Sequence, residues 1–227
     1  MNHVGVEASG QRNYSVSPLA SENINSRTVR CPTQFLLAGF LALALTIPLG
    51  AQGRALTIPL SLDQLADLSA TIVLGHVVGA KFEAHPDFPN VKTLLVTLRV
   101  QETFKGQPRK VFTFRQYVWD IRDRFGPTGY RKGQHMLLLM HAPSRSGLSS
   151  PVGLSQGRFR VLRDQQGNEY AINGHANVGL FRNMVPRLEK AGVHLSPEIE
   201  QFVKEHRSGA VQLKKLRDLI RAVLRTN

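Results

Sequence analysis

The chain is 227 residues long, with 29 Lys+Arg against 16 Asp+Glu, a formal net charge of +13, one cysteine and one tryptophan. With 42% hydrophobic and 20% charged residues it has enough apolar material for a packed core, which excludes a disordered tail and a collagen-like fibre. A single cysteine excludes a disulfide framework and a cysteine-based structural zinc site.

Residues 1–34 are polar and aperiodic, with Arg12, Arg27 and Arg30 against Glu7 and Glu22. Phe35 to Leu49 (FLLAGFLALALTIPL) then runs without a charge into Gly50-Ala51-Gln52-Gly53. A basic flank, a short apolar stretch and small residues at its end form a secretory signal. Ala51 and Gly53 occupy the minus-three and minus-one positions for cleavage before Arg54; cleavage before Gln52 or Leu56 is compatible with the same residues. The alternative is an uncleaved anchor through 35–51, although the run is shorter than the roughly 18–20 apolar residues that span a bilayer core. Either reading exports the rest of the chain, to the periplasm or beyond. The leader before Arg27 is long for a signal, consistent with a start codon downstream of Met1, and Cys31 precedes the apolar run, contrary to a lipoprotein. Removing 53 of 227 residues leaves 174 with no cysteine, and the charge falls only from +13 to +12 because three arginines and two glutamates leave. The basicity therefore belongs to the exported domain.

Ser61-Leu62-Asp63-Gln64 reads as a capping box opening a short helix with Leu62, Leu65 and Leu68 on one face. Thr71 to Ala80 is β-branched and apolar, a strand with Gly75 and Gly79 at bend or bulge positions. Val91 to Phe104 alternates, with Val96, Leu98 and Val100 on one face, and Lys110 to Val118 alternates again. His135 to His141 is a continuous apolar run, expected as a fully buried central strand. Arg158–Leu162 and Glu169–Ile172 flank a turn at Asp164–Asn168 and read as a hairpin. Further on, helicity is expected after Pro186, then from Ser196-Pro197 to Gly209, then from Ala210 to Leu224 with Leu213, Leu216, Ile220 and Leu224 as its stripe. These elements predict a mainly β fold: a signal segment over 1–53, an OB-like β-barrel over 54–180 and a C-terminal helical region over 181–227.

The order of these segments, above all Glu102-Thr103-Phe104-Lys105-Gly106 and the later Gly133-Gln134-His135-Met136-Leu137-Leu138-Leu139, resembles the netrin-like modules and tissue inhibitors of metalloproteinases. More loosely, it is similar to small exported bacterial proteins of unassigned activity. The resemblance covers about Leu56 to Ile172 and implies an OB-type barrel. The inhibitors act through an amino-terminal cysteine that chelates the protease zinc, and the chain after Gly53 has no cysteine. The resemblance therefore implies a fold rather than an activity.

No catalytic constellation is legible. The histidines His76, His85, His135, His141, His175, His194 and His206 are scattered without a metal-ligand spacing, and His135 and His141 fall about 20 Å apart along an extended strand. Ser155 formally matches GxSxG, yet a Pro- and Gly-rich loop precedes it and a strand follows, unlike a nucleophile elbow. Asp120 and Asp123 lie among Arg122 and Arg124, where ion pairing accounts for them. The remaining signal is basic: Lys105, Arg109, Lys110, Arg115, Arg122, Arg124, Arg131, Lys132, Arg158, Arg160 and Arg163, interleaved with Tyr117, Trp119, Phe125 and Tyr130. On an exported domain this mixture points away from nucleic acid and towards an anionic envelope surface or glycan. The sequence thus predicts a non-enzymatic binding or envelope-associated protein without cofactor or metal, contacting its anionic partner through Arg122, Arg124, Arg131 and Lys132. The alternatives are a protein-binding regulator of a protease or other envelope enzyme, and a hydrolase built on Asp120, Asp123 or a histidine.

Overall fold

The computed structural model describes residues 58–118 and 129–225; the signal segment with Ala51, Gly53 and Arg54 lies outside the described residues. A short helix α1 (Leu62–Asp67) leads into strands β1 (Thr71–Ala84), β2 (Lys92–Lys105), β3 (Val111–Tyr117), β4 (His135–Met140), β5 (Arg158–Arg163) and β6 (Glu169–Asn173). Helices α2 (Met184–Lys190) and α3 (Pro197–Glu205), a two-residue strand β7 (Val211–Gln212) and helix α4 (Leu213–Val223) complete the described chain.

The strands form one antiparallel sheet in the order β3-β2-β1-β4-β5-β6-β7. The fold is mainly β with C-terminal helices, as the alternation predicts. The expected barrel is corrected: the sheet is open, because β5, β6 and β7 continue it outward from β4 instead of returning to β3. Strand count and alternation set which face of a strand is buried; they do not set strand order. Among the described residues a short tie links the β3 edge to β4, through a parallel bridge from Arg115 to Leu148 and an antiparallel one from Met140 to Pro151. In it the Ser149 amide donates to the Arg115 carbonyl (2.8 Å) and the His141 amide to the Ser150 carbonyl (3.0 Å).

The predicted central strand is buried on both faces, which explains its unbroken apolar run. Leu137 and Leu139 join one core cluster with α1, α2, α4, Ile72, Leu74 and Phe159. Met136, Leu138 and Met140 face the other cluster, with Val73, Val96, Leu98, Phe112 and Phe114 from β1, β2 and β3. Register shifts in the β1–β2 ladder fall at Leu74/Gly75 and Val77/Gly79, the two glycines expected to bend the strand.

At the C-terminal end, α2 begins at Met184, ahead of Pro186, and not after it. Pro186 sits in the first turn, where its missing N–H has no intrahelical partner to lose. Helix α3 starts at Pro197 behind Ser196 as expected, but stops at Glu205, short of Gly209. Val211 and Gln212, expected as helix, pair with Ala171 and Tyr170 as the edge strand β7. The α4 stripe (Leu213, Leu216, Leu219, Ile220, Val223) is buried in the helix-side core.

Candidate anion-binding face

The helices pack on one side of the sheet, so the side chains of β5 divide sharply. Phe159 is fully buried in the helix-side core. Arg158, Arg160 and Leu162 alternate with it and take the opposite face, where Arg160 is exposed and Leu162 half exposed. Their cross-strand partners are Leu138 for Arg158, Met136 and Ile172 for Arg160, and Tyr170 for Leu162. None of these partners is a carboxylate.

The turn before β4 carries further cations, next in the chain to the Tyr130 ring that Arg158 covers. The Gly133 amide donates to the Val77 carbonyl (2.8 Å), the Val77 amide to the Gln134 carbonyl (2.9 Å), and the Arg131 amide to Gln134 Oε1 (2.8 Å). These bonds fix the turn against β1 and leave the side chains of Arg131 and Lys132 exposed. Tyr130, buried in the second core cluster, lies edge-on to Phe114 at 5.6 Å and carries the Arg158 guanidinium over its ring at 5.1 Å. Arg131 and Lys132 thus follow directly on the ring that Arg158 covers, with Arg160 one pleat further along β5. Arg122 and Arg124, with Asp120, Asp123, Trp119 and Phe125, lie outside the described residues.

Other basic residues are already committed to the fold. Lys105 Nζ donates to the Ala66 carbonyl at 2.8 Å, and Arg115 donates to Glu83 (2.7 Å) and Thr93 (2.9 Å). Arg217 and Arg221 tie α4 to Glu102 of β2, and Arg109 lies over Phe112 at 5.5 Å. Arg163, counted with Arg158 and Arg160 in the sequence, turns to the helix side and pairs with Glu169 at 3.0 Å.

That helix side holds a polar row invisible in the sequence. His76 and His135 are direct cross-strand partners and stack at 4.4 Å with planes 10° apart. Glu169 Oε1 lies 3.4 Å from His135 Nδ1. Burial, reinforced by the His76 charge and opposed by Glu169, lowers the His135 pKa and keeps the imidazole neutral near pH 7. Although His135 opens β4, its side chain is largely enclosed. Residues 76, 135 and 169 lie far apart in the chain, so only the β1–β4–β5–β6 order reveals the row. Among the described residues no three His, Cys, Asp or Glu are placed to hold a metal ion.

Ser155 occupies a tight turn ahead of β5, where its carbonyl accepts from the Gly174 amide at 2.9 Å. Among the described residues no histidine or carboxylate hydrogen-bonds its hydroxyl, so the GxSxG spacing forms a turn without a triad.

No family model, no curated protein and no solved structure matches this chain.

Proposed function

We propose that the chain is an exported, non-enzymatic binding protein that uses its helix-free basic face to hold an anionic envelope surface or glycan. The observation that carries this reading is a pair of β5 arginines on the helix-free face with no carboxylate opposite them in the ladder. Helix-side cations such as Arg163, Arg217 and Arg221 have carboxylate partners, while Arg158 and Arg160 have none across the ladder and lie beside the exposed Arg131 and Lys132. The net charge of +13 supplies long-range attraction to a polyanion, and guanidinium forks then bind carboxylate, sulfate or phosphate oxygens in a pairwise geometry. Tyr170 and Ile172 beside Arg160 and Leu162 add apolar surface suited to the flat face of a sugar ring or to an acyl boundary. The apolar segment at 35–49 with its basic flank supports export, and hence an envelope partner over nucleic acid.

The test is retention of the purified chain on heparin-type polyanion resin, and its binding to vesicles of anionic against neutral lipid, across a salt series. The quadruple variant Arg131→Gln, Lys132→Gln, Arg158→Gln, Arg160→Gln is expected to bind at least about 10-fold more weakly at low salt, with a flatter salt dependence. The reading fails if the wild-type chain binds no polyanion at low salt, or if the variant binds equally well.

A further inference from the structure

On the helical side of the molecule, the segment from Gly179 to Pro186 and the end of α3 line a cleft of about 430 Å³ that includes no residue of β5. That volume lies within the range of about 300–1,000 Å³ common for small-molecule sites. Arg182, Lys204, His206 and Arg207 line it, and no carboxylate does. Apart from Asn183, the rest of its wall is apolar, with Phe181, Met184, Val185, Pro186 and Val203.

The cleft is organised around His206. Its imidazole closes a ring triad with Phe181 (5.4 Å) and Phe202 (5.3 Å), and these two phenyls meet edge-on at 5.7 Å. The triad fixes the orientation of the imidazole, and its Nε2 is shielded from solvent and has no hydrogen-bond partner. Arg182 is also held in place: one Nη donates to the Pro59 carbonyl at 2.8 Å, and its own carbonyl accepts from Arg187 at 2.9 Å. A guanidinium has five donors, so that bond leaves most of them available. Lys204 pairs with Glu200 one helical turn back, and Arg207 is exposed at the mouth.

We infer that this cleft is a binding site for a small organic anion with an apolar body. The anionic group lies against Arg207 and Arg182, and the body lies along Pro186, Val185 and the edge of Phe181. The site requires both halves of the ligand. A bare inorganic anion leaves the apolar wall uncovered, and a neutral amphiphile leaves the guanidinium groups unanswered.

Octanoate is a suitable probe, with acetate for charge without a tail and octanol for a tail without charge. Calorimetric titration of the full chain is expected to give saturable, one-to-one octanoate binding, with acetate and octanol each at least about 10-fold weaker. The His206 ring signals should shift on octanoate addition in an NMR titration. Arg207→Gln, an exposed substitution without consequence for folding, should weaken octanoate by about 5-fold or more. Arg160→Gln should leave octanoate binding unchanged while weakening polyanion binding, so this site and the β5 face stand or fall separately. The inference is overturned if octanoate does not saturate, if acetate or octanol matches it, if the His206 signals do not move, or if Arg207→Gln has no effect.

Discussion

Asn173 and Asn177 hold each other through both side chains. Asn177 Oδ1 accepts from the Asn173 amide at 2.9 Å, and Asn173 Oδ1 accepts from the Asn177 amide at 2.8 Å. The pair closes the end of β6 and turns the chain towards the helices. Asn177 is completely buried at a φ of 57°, a left-handed conformation that asparagine tolerates better than most residues. Its Nδ2 donates to the Ala171 carbonyl (3.0 Å) and to the Gly209 carbonyl (2.8 Å), joining the last sheet strands to the turn that precedes β7.

Asn177→Ala removes three side-chain hydrogen bonds and leaves buried main-chain groups unanswered, in a backbone conformation alanine disfavours. A loss of about 2–4 kcal/mol in unfolding free energy is expected by denaturant titration. Asn177→Asp keeps Oδ1 but sets a buried carboxylate against the two carbonyls, and should be at least as destabilising at pH 7. If either variant unfolds within 0.5 kcal/mol of wild type, taking about that value as the scale of neutral changes, the reciprocal pair is not what holds this junction.

Helix α1 is tied to α2 by Arg187, which donates Nη2 to Asp63 Oδ1 at 2.8 Å and Nε to Oδ2, and reaches Ser61 Oγ at 2.7 Å. Burial acts to raise the Asp63 pKa, but the hydrogen bonds from Arg187 and Ser61 and the Arg187 charge hold it below the usual carboxylate value. The two partners differ in exposure: 41% of the Arg187 side chain is exposed against 11% of Asp63. Arg187→Ala therefore strands a carboxylate that water barely reaches, while Asp63→Ala frees a cation that rehydrates. Thermal or urea unfolding should rank Arg187→Ala as the costlier change, by about 1–3 kcal/mol against wild type, with Asp63→Ala clearly below it. The reverse order would show that Asp63 contributes through more than this pair and that a stranded carboxylate does not set the cost.

Much of the fold was legible because binary pattern and caps act locally. The Ser61–Gln64 box opens α1, with Gln64 Oε1 accepting from the Ser61 amide at 3.0 Å, and the alternation from Val91 and Lys110 appears as β2 and β3. What failed was non-local. Strand order turned an expected barrel into an open sheet, and the two residues of β7 continue the α4 periodicity too smoothly to stand out. Of the expected contact residues, Arg131 and Lys132 are exposed in the turn that follows Tyr130, the ring under Arg158, and Arg122 and Arg124 lie outside the described residues. Arg158 and Arg160 could be singled out from Arg163 only once the helices had taken one face of β5. The helix-side cleft has no sequence signature, since Arg182 and His206 come from separate segments joined by packing.

The GxSxG stretch offers a prediction that separates turn from nucleophile. A Cβ on Gly157 would lie 2.6 Å from the Val152 carbonyl oxygen and 2.8 Å from that of Leu139, where only backbone could give way. The glycine is required because the tie between β4 and the start of β5 passes main chain against main chain. Gly157→Ala should cost about 2–3 kcal/mol or prevent folding, whereas Ser155→Ala should stay within about 0.5 kcal/mol and leave polyanion binding unchanged. A Ser155→Ala variant that abolishes hydrolysis of an ester substrate by the wild-type chain would reverse this assignment.

Two imidazoles give stability a defined response to mild acid. Burial lowers the His135 pKa, with the His76 charge adding to it and Glu169 opposing, and burial lowers that of His206, with a main-chain bond to Gly209 opposing. In the unfolded chain both revert to a value near 6.5, so as pH falls through about 6.5 the unfolded state takes up protons before the folded state does. Stability contributed by the neutral rings is therefore fully present above that value and declines as pH drops towards the folded pKa values. Asp63 acts in a separate window: its folded pKa is depressed, so its contribution is lost only below about 3.9, its unfolded value. The melting temperature should fall steadily between pH 7.5 and pH 5, the interval around the histidine value of about 6.5. The double variant His135→Gln, His206→Gln, which has no proton to gain at either position, should melt with a visibly shallower pH slope whatever its absolute stability. An unchanged slope in that variant would place the acid sensitivity on other groups.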